Sequence, residues 1–189
     1  MKNGNIVKEI ENRRARRAID TRQIGADVIE RIMTAATLAP SCANKQPWRF
    51  VVIDAEPALT QVRKNLASGN YWALKAPVYV LAVTNEDVDC RLDDHRDYAF
   101  FDTGLAVMNL MLQATAEGLV AHPIAGYQPV PLKEATGIPA DHTLIAVVVL
   151  GYPGDESGLN EKHRASEHDE RNRKEQSEVI FRNRWPEND

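Results

Sequence analysis

Cysteine is almost missing from this sequence. Cys42 and Cys90 are the only two among 189 residues, too few for a disulfide framework. Long apolar runs are missing too. No uninterrupted stretch approaches membrane-spanning length, and the opening Met-Lys-Asn-Gly-Asn has none of the apolar core of a secretory signal. A soluble protein of a reducing cytoplasm, with no membrane partner, is the expectation. There is also no basic excess. The 23 lysines and arginines against 27 acidic residues leave a net charge of −4, which argues against a duplex-binding protein and leaves a local basic patch open. Neither G-x-G-x-x-G after a strand nor G-x-x-x-x-G-K-[ST] occurs, so neither a dinucleotide-binding crossover nor a P-loop is indicated. G-x-S-x-G and H-E-x-x-H are absent, and no sequence feature supplies Cys42 with a base. If the chain is an enzyme, its hard chemistry belongs to a bound cofactor and not to a catalytic side chain.

What is present is organised around residues 39–48, Ala-Pro-Ser-Cys-Ala-Asn-Lys-Gln-Pro-Trp. A helix-to-strand connection needs only about 2–6 residues. This one adds Pro40 and Pro47, which fix φ, and sets Ser41, Asn44 and Gln46 between them. Such a loop suits a flat ligand with polar atoms along its edge. A Pro- and Asx-rich turn accounts for the local pattern equally well. Cys42 reads as a small side chain packed beside a ligand. The second concentration is Arg13-Arg14-Ala15-Arg16-Arg17, four arginines in five residues. A helix persisting there would put Arg13, Arg16 and Arg17 on one face. So much like charge needs an anion or solvent to relieve it. A phosphate clamp matches the planar guanidinium fork, and a solvated charge run or weak nucleic-acid patch is the alternative.

Periodicity places helices over 5–14, 26–38, 56–66 and 71–75, with Asp27 and Glu30 resembling a capping box in the second. Buried strands follow over 48–53, 77–84 and 143–150. The charged stretch 85–97 reads as a solvated flexible loop, and His95 within it lacks the second histidine a metal site would want. The longest helix spans 98–117. Its Phe101, Leu105, Met108 and Leu112 recur at 4-3-4 spacing, and further apolar residues surround them, so it belongs in a core or between subunits. A short strand at 119–121 leads to the loop 122–127. Pro123 and Gly126 there let backbone N–H groups approach a planar ligand, or simply make a turn. His122 reads as a satisfied structural histidine, and 130–136 as a short helix. Residues 151–189 hold too few apolar side chains to bury themselves. Phe181 and Trp185 nonetheless need a surface, as they would in an arm embracing a second subunit.

Taken in order, these pieces resemble the FMN-dependent nitroreductase family over nearly the whole length. The matching residues are Arg13-Arg14-x-x-Arg17, Ala39-Pro40-Ser41-x-x-Asn44-x-Gln46-Pro47-Trp48, and Asn70-x-Trp72 ahead of Ala76-Pro77. Gly118-Leu119, Pro123-Ile124-Ala125-Gly126, Gly151-Tyr152-Pro153, Arg171-x-Arg173-Lys174 and Arg184-Trp185 complete the set. No one of these is specific; their order and spacing together are.

The resemblance implies an α+β fold, a mostly antiparallel sheet flanked by helices, in an interlocked homodimer. It implies an FMN-binding domain over residues 1–155 and a C-terminal arm over 156–189 that wraps the partner. Carried over residue by residue, Arg13, Arg14, Arg171 and Arg173 resemble the basic residues around the FMN phosphate. Arg17 resembles the cation at the N1/C2-carbonyl edge of the ring. Pro40, Ser41, Cys42, Asn44 and Gln46 match ring and ribityl contacts, with Asn70 supplied by the other subunit. Pro123, Ile124 and Gly126 match the stretch along the flavin near N5. Ala15 stands where serine is common, and Ala125 where some relatives carry glutamate. No metal and no nucleic acid are implied.

The implied activity is hydride transfer from NADH or NADPH, via flavin N5, to a small-molecule acceptor in ping-pong turnover. The acceptor would be a nitroaromatic, quinone or similar electron-poor compound. The alternatives are a flavin-binding redox sensor or carrier with little turnover, and a relative specialised for one metabolite, such as a dehalogenase or flavin-fragmenting enzyme. A specialised relative needs a lid, for which residues 85–97 are the obvious candidate.

Overall fold

Three apolar runs form the centre of the molecule in a computed structural model that describes residues 6–186. They become β1 (Arg49–Ile53), β2 (Val78–Thr84) and β6 (Thr143–Gly151). With β5 (Val120–Ile124) they make one sheet ordered β1-β2-β6-β5, every neighbouring pair antiparallel. All seven β2 residues are buried because helices cover both faces of the sheet. Alternation divides the strand between two cores. Tyr79, Leu81 and Val83 pack with α3 (Ala58–Asn65) and α5 (Pro129–Thr136), while Val78 and Val80 pack with α2 (Ala26–Thr37) and α4 (Tyr98–Ala116). The fold is α+β, as expected. Among the described residues no helix is long and apolar enough to cross a membrane.

Several local expectations change. The first helix, α1, covers only Lys8–Asn12 and ends before the arginines, where Arg13 turns to ψ 126°. Residue 5 of the expected helix lies outside the described residues. The capping box is not formed: Gly25 caps α2, and Asp27 pairs with Arg31 at 2.9 Å instead. β5 runs on through His122-Pro123-Ile124, which the sequence reads as a loop. It is an edge strand, and a proline there costs no ladder bond when its nitrogen faces away from β6. Residues 85–97 are not a plain loop either. A turn over Glu86–Val88 leads into a small hairpin, β3 (Arg91–Leu92) with β4 (Arg96–Asp97), whose Arg91 pairs with Asp87 and Asp97 at 3.1 Å each.

The long helix is two-sided. Ala99, Asp102, Ala106, Leu110 and Ala114 face the core. Phe101 and Met108, from the 4-3-4 stripe, remain 61% and 44% exposed. The start of the tail packs on its own chain, with Leu159 buried and α6 (Glu161–His168) burying Glu167. Every residue from 172 to 186 is exposed, including the short α7 (Gln176–Val179) and an edge-to-face pair of Phe181 and Trp185.

Candidate functional site

The arginine segment is extended, and three different elements hold it. It runs beside the residues that follow β6. Asp20 N–H donates to the Tyr152 carbonyl at 2.9 Å, and Gly154 N–H donates to that of Ala18 at 2.8 Å. A Cβ at Gly154 would sit 2.5 Å from Asp20 N and Ile19 C, so only glycine permits this approach. From α6, the buried Glu167 carboxylate accepts the Arg17 N–H at 2.6 Å, and the Arg16 guanidinium donates to the Glu167 carbonyl at 3.0 Å. From β5, the His122 ring lies against Trp72 and places Nδ1 2.9 Å from the Arg16 carbonyl. A carbonyl only accepts, so Nδ1 carries the proton. Burial pushes the His122 pKa down to about 4, and the charges of Arg17 and Arg13 push the same way against the hydrogen bond to Arg16.

Arg13, Arg14, Arg171 and Arg173 line one cavity of about 190 Å³. The Arg171 guanidinium donates to the carbonyls of Ile10, Glu11 and Arg13 at 3.0, 2.9 and 2.6 Å, which stitches the two ends of the chain together. Burial, followed by repulsion from Arg171, Arg173 and Arg14, lowers the Arg13 pKa. Among the described residues, none of these four guanidiniums pairs with a carboxylate. The donor set therefore fits a phosphate. Arg17 does not line that cavity; its charge acts on His122 and His163.

The polar loop is built differently. Ala43, Asn44 and Gln46 hold φ of 49°, 55° and 50°, in the left-handed region. Gln46 N–H donates to Ser41 Oγ at 2.9 Å, and the Gln46 amide donates to the Asn44 carbonyl at 3.2 Å. Cys42 N–H donates to the Asp102 carboxylate at 2.7 Å. Ser41 and Cys42 are half-buried, and Pro40, Asn44 and Gln46 are exposed. Two cysteines make no framework, but they do make one bond: the Cys42 sulfur is joined to that of Cys90, 48 residues on. Residues 85–90 bring Cys90 back to the start of α4, where its carbonyl accepts the Tyr98 N–H at 3.0 Å. A low cysteine count therefore does not identify a reducing compartment.

The third group joins Asn70 to the end of β5. The Asn70 amide donates to the Gly126 carbonyl at 2.7 Å, and a Cβ at Gly126 would lie 2.7 Å from the Asn70 nitrogen. Asn70 thus stands against Gly126 of its own chain. His122, one residue before Pro123, ties this group to the arginines. Among the described hydrogen bonds, none joins the loop of residues 39–48 to either group.

Sequence reasoning missed Glu167, Asp89 and Asp102. Asp102 had left a signal, being the only charged residue in α4. Glu167, inside a run of charges, left none.

Known proteins match the same stretches. The model of the nitroreductase family fits residues 10–152. The chain belongs to the nitroreductase family. Among its relatives, an Archaeoglobus fulgidus protein named as an NADH dehydrogenase/NAD(P)H nitroreductase is 31% identical over 160 residues, covering 82% of this chain and 89% of its own. An iodotyrosine deiodinase of Haliscomenobacter hydrossis is 36% identical over 184 residues, covering 82% of each. A solved oxidoreductase containing FMN superposes with a TM-score of 0.87 at 25% identity, covering 98% of this chain and 96% of its own. As a nitroreductase-family member, the chain stands among oxidoreductases.

Proposed function

We propose that this nitroreductase-family chain binds FMN and uses NADH or NADPH to reduce electron-poor small molecules such as nitroaromatics and quinones. One observation carries the reading: four arginines from distant parts of the sequence converge on one cavity, and among the described residues none of the four is ion-paired even though Glu167, Asp169 and Glu170 also line it. A phosphomonoester would relieve their repulsion. Bound FMN would supply the hydride chemistry between a nicotinamide and a second substrate, and the chain would need to supply no catalytic side chain of its own. Arg13, Arg14, Arg171 and Arg173 would hold the phosphate. Asn44 and Gln46 would orient the ring edge, with Pro40, Ser41 and Cys42 beside them, and Arg17 would place positive charge near the ring. Asn70 fixes the Gly126 carbonyl, and the backbone beside it would lie along the flavin.

A second copy of the chain completes this reading. The exposed stripe at Phe101 and Met108 and the uncovered residues 172–186 both suit burial against a partner. The loop of one copy would then meet the arginines of the other. The C-terminal arm would begin in earnest near residue 172, because Leu159 and Glu167 pack at home.

The purified protein should be a yellow dimer by sedimentation and release FMN on heating. Anaerobic stopped-flow mixing with NADH or NADPH should bleach the flavin rapidly, and a nitroaromatic should restore it. Rapid binding with negligible bleaching would favour the sensor reading. A colourless protein indifferent to added FMN would overturn the proposal. The likeness to a deiodinase gives the specialised-metabolite reading its support, and one acceptor standing orders of magnitude above the rest in kcat/KM would favour it.

A further inference from the structure

Residues 41–46 hold a shape their own backbones resist. Three of them sit in left-handed conformations without being glycine, and such a loop persists only when its surroundings over-determine it. Apart from the adjacent Arg49, which donates to the Gln46 carbonyl at 3.0 Å, three ties reach this stretch from outside. They are the Cys42 N–H to Asp102, the Lys45 ammonium to the Asp89 carbonyl at 3.3 Å, and the Cys42–Cys90 bond. All three lie at one spot, and two of them run through residues 89–90. The far side of that spot is weakly fixed. Beyond it stands a hairpin with strands of two residues, braced mainly by exposed ion pairs that contribute little.

Both cysteines are half-buried, so neither is sealed in the core. Behind the pair, Asp89 and Asp102 are only 5% and 2% exposed, and Asp89 Oδ2 has no hydrogen-bond partner. Burial and Asp89 raise the Asp102 pKa, while Asp89 lies within 4.8 Å of both sulfurs, where a carboxylate disfavours a thiolate and biases the pair toward its bonded form. We propose that Cys42–Cys90 is a reversible thiol–disulfide site that sets the grip of the flavin loop: bonded, the loop is held in its binding shape; reduced, it relaxes and releases the ring edge. This rests on the flavin reading above and adds its control.

The reductant is a dithiol. Its thiolate attacks one cysteine sulfur, expels the other as a thiolate that takes up a proton, and forms a mixed disulfide. The second thiol of the reductant then closes its own disulfide and frees the remaining cysteine. Two electrons and two protons pass to the protein, and the reductant is oxidised by the same amount.

The test uses the holoprotein, with a chelator present because the reduced sulfurs and Asp89 would bring three donor atoms within 4.8 Å of one another. FMN affinity is measured by flavin fluorescence for air-equilibrated protein, for protein reduced with dithiothreitol and desalted anaerobically, and for Cys90→Ser. If the reduced loop is competent about a tenth of the time, affinity falls about tenfold, in reduced protein and variant alike. Reoxidation should restore the wild type only. Hydrogen exchange over residues 41–46 and 85–97, measured without FMN, should rise on reduction. Equal FMN affinity in both states overturns the control. So do two titratable thiols in air-equilibrated protein, or unchanged exchange on reduction. If no FMN binds at all, the flavin reading has failed, and the exchange measurement alone decides whether the redox site controls this loop.

Discussion

The two halves of the candidate flavin site are held in opposite ways. The arginine segment is woven into the fold: a strand end, a helix and a buried histidine each grip its backbone, so its guanidiniums are placed by packing. The loop of residues 41–46 is perched on the fold. Its internal bonds are short-range, its backbone is strained, and one sulfur bond does much of the work of holding it. Positive charge is costly to gather, so the region that gathers it has to be rigid. The loop gathers only neutral amides and can remain adjustable.

The largest test of this contrast is Gly154→Ala. The new methyl meets backbone that cannot swing aside, and overpacking of this kind costs about 3 kcal/mol. Urea unfolding should show that loss. Exchange should rise over residues 13–20 and stay unchanged over 41–46, whereas reduction of the sulfur bond should do the reverse. If both variants loosen both regions, the two halves are one unit and the comparison breaks.

Acid probes the same side of the contrast. With a folded pKa of about 4 against an ordinary 6.5, His122 stays neutral while the unfolded chain takes up a proton. Its contribution is whole above about pH 6.5 and drains away down to about pH 4, by roughly 3 kcal/mol in all. Unfolding curves across that range should steepen in the wild type and flatten in His122→Gln.

Arg171→Ala removes a cation from the cavity and three hydrogen bonds to the opposite end of the chain. Bonds to charged groups contribute about 2 kcal/mol, so FMN affinity measured by fluorescence should fall roughly thirtyfold. The smallest effect is expected from Asn70→Ala. Losing one amide bond to Gly126 should cost about 1 kcal/mol of stability in urea unfolding, with a smaller loss of FMN affinity through the loosened Gly126 backbone.

The strands were legible because packing on both faces writes itself as unbroken apolar runs, complete at Val78–Val83 and partial at Phe50–Ile53, where β1 lies on the sheet edge and only Ile53 is fully buried. The arginine cluster was legible as charge, but its shape was not. Local periodicity carried the expected helix to Arg14 and left its persistence through Arg17 open, and pairing with residues 152–154, far along the chain, draws the segment out instead. Pro123 misled for a related reason: only the sheet order places it on an edge, where a strand tolerates it. The sulfur bond joins partners 48 residues apart, and nothing near either cysteine announces it. Glu167 acts through its position beside Arg17, which no charge count contains.

Arg171 reaches back across the sequence to the carbonyl of Arg13. The cavity therefore joins segments 158 residues apart, and a fragment that lacks either segment cannot form it. On the flavin reading, a chain cut before that arginine should hold FMN no better than Arg171→Ala does.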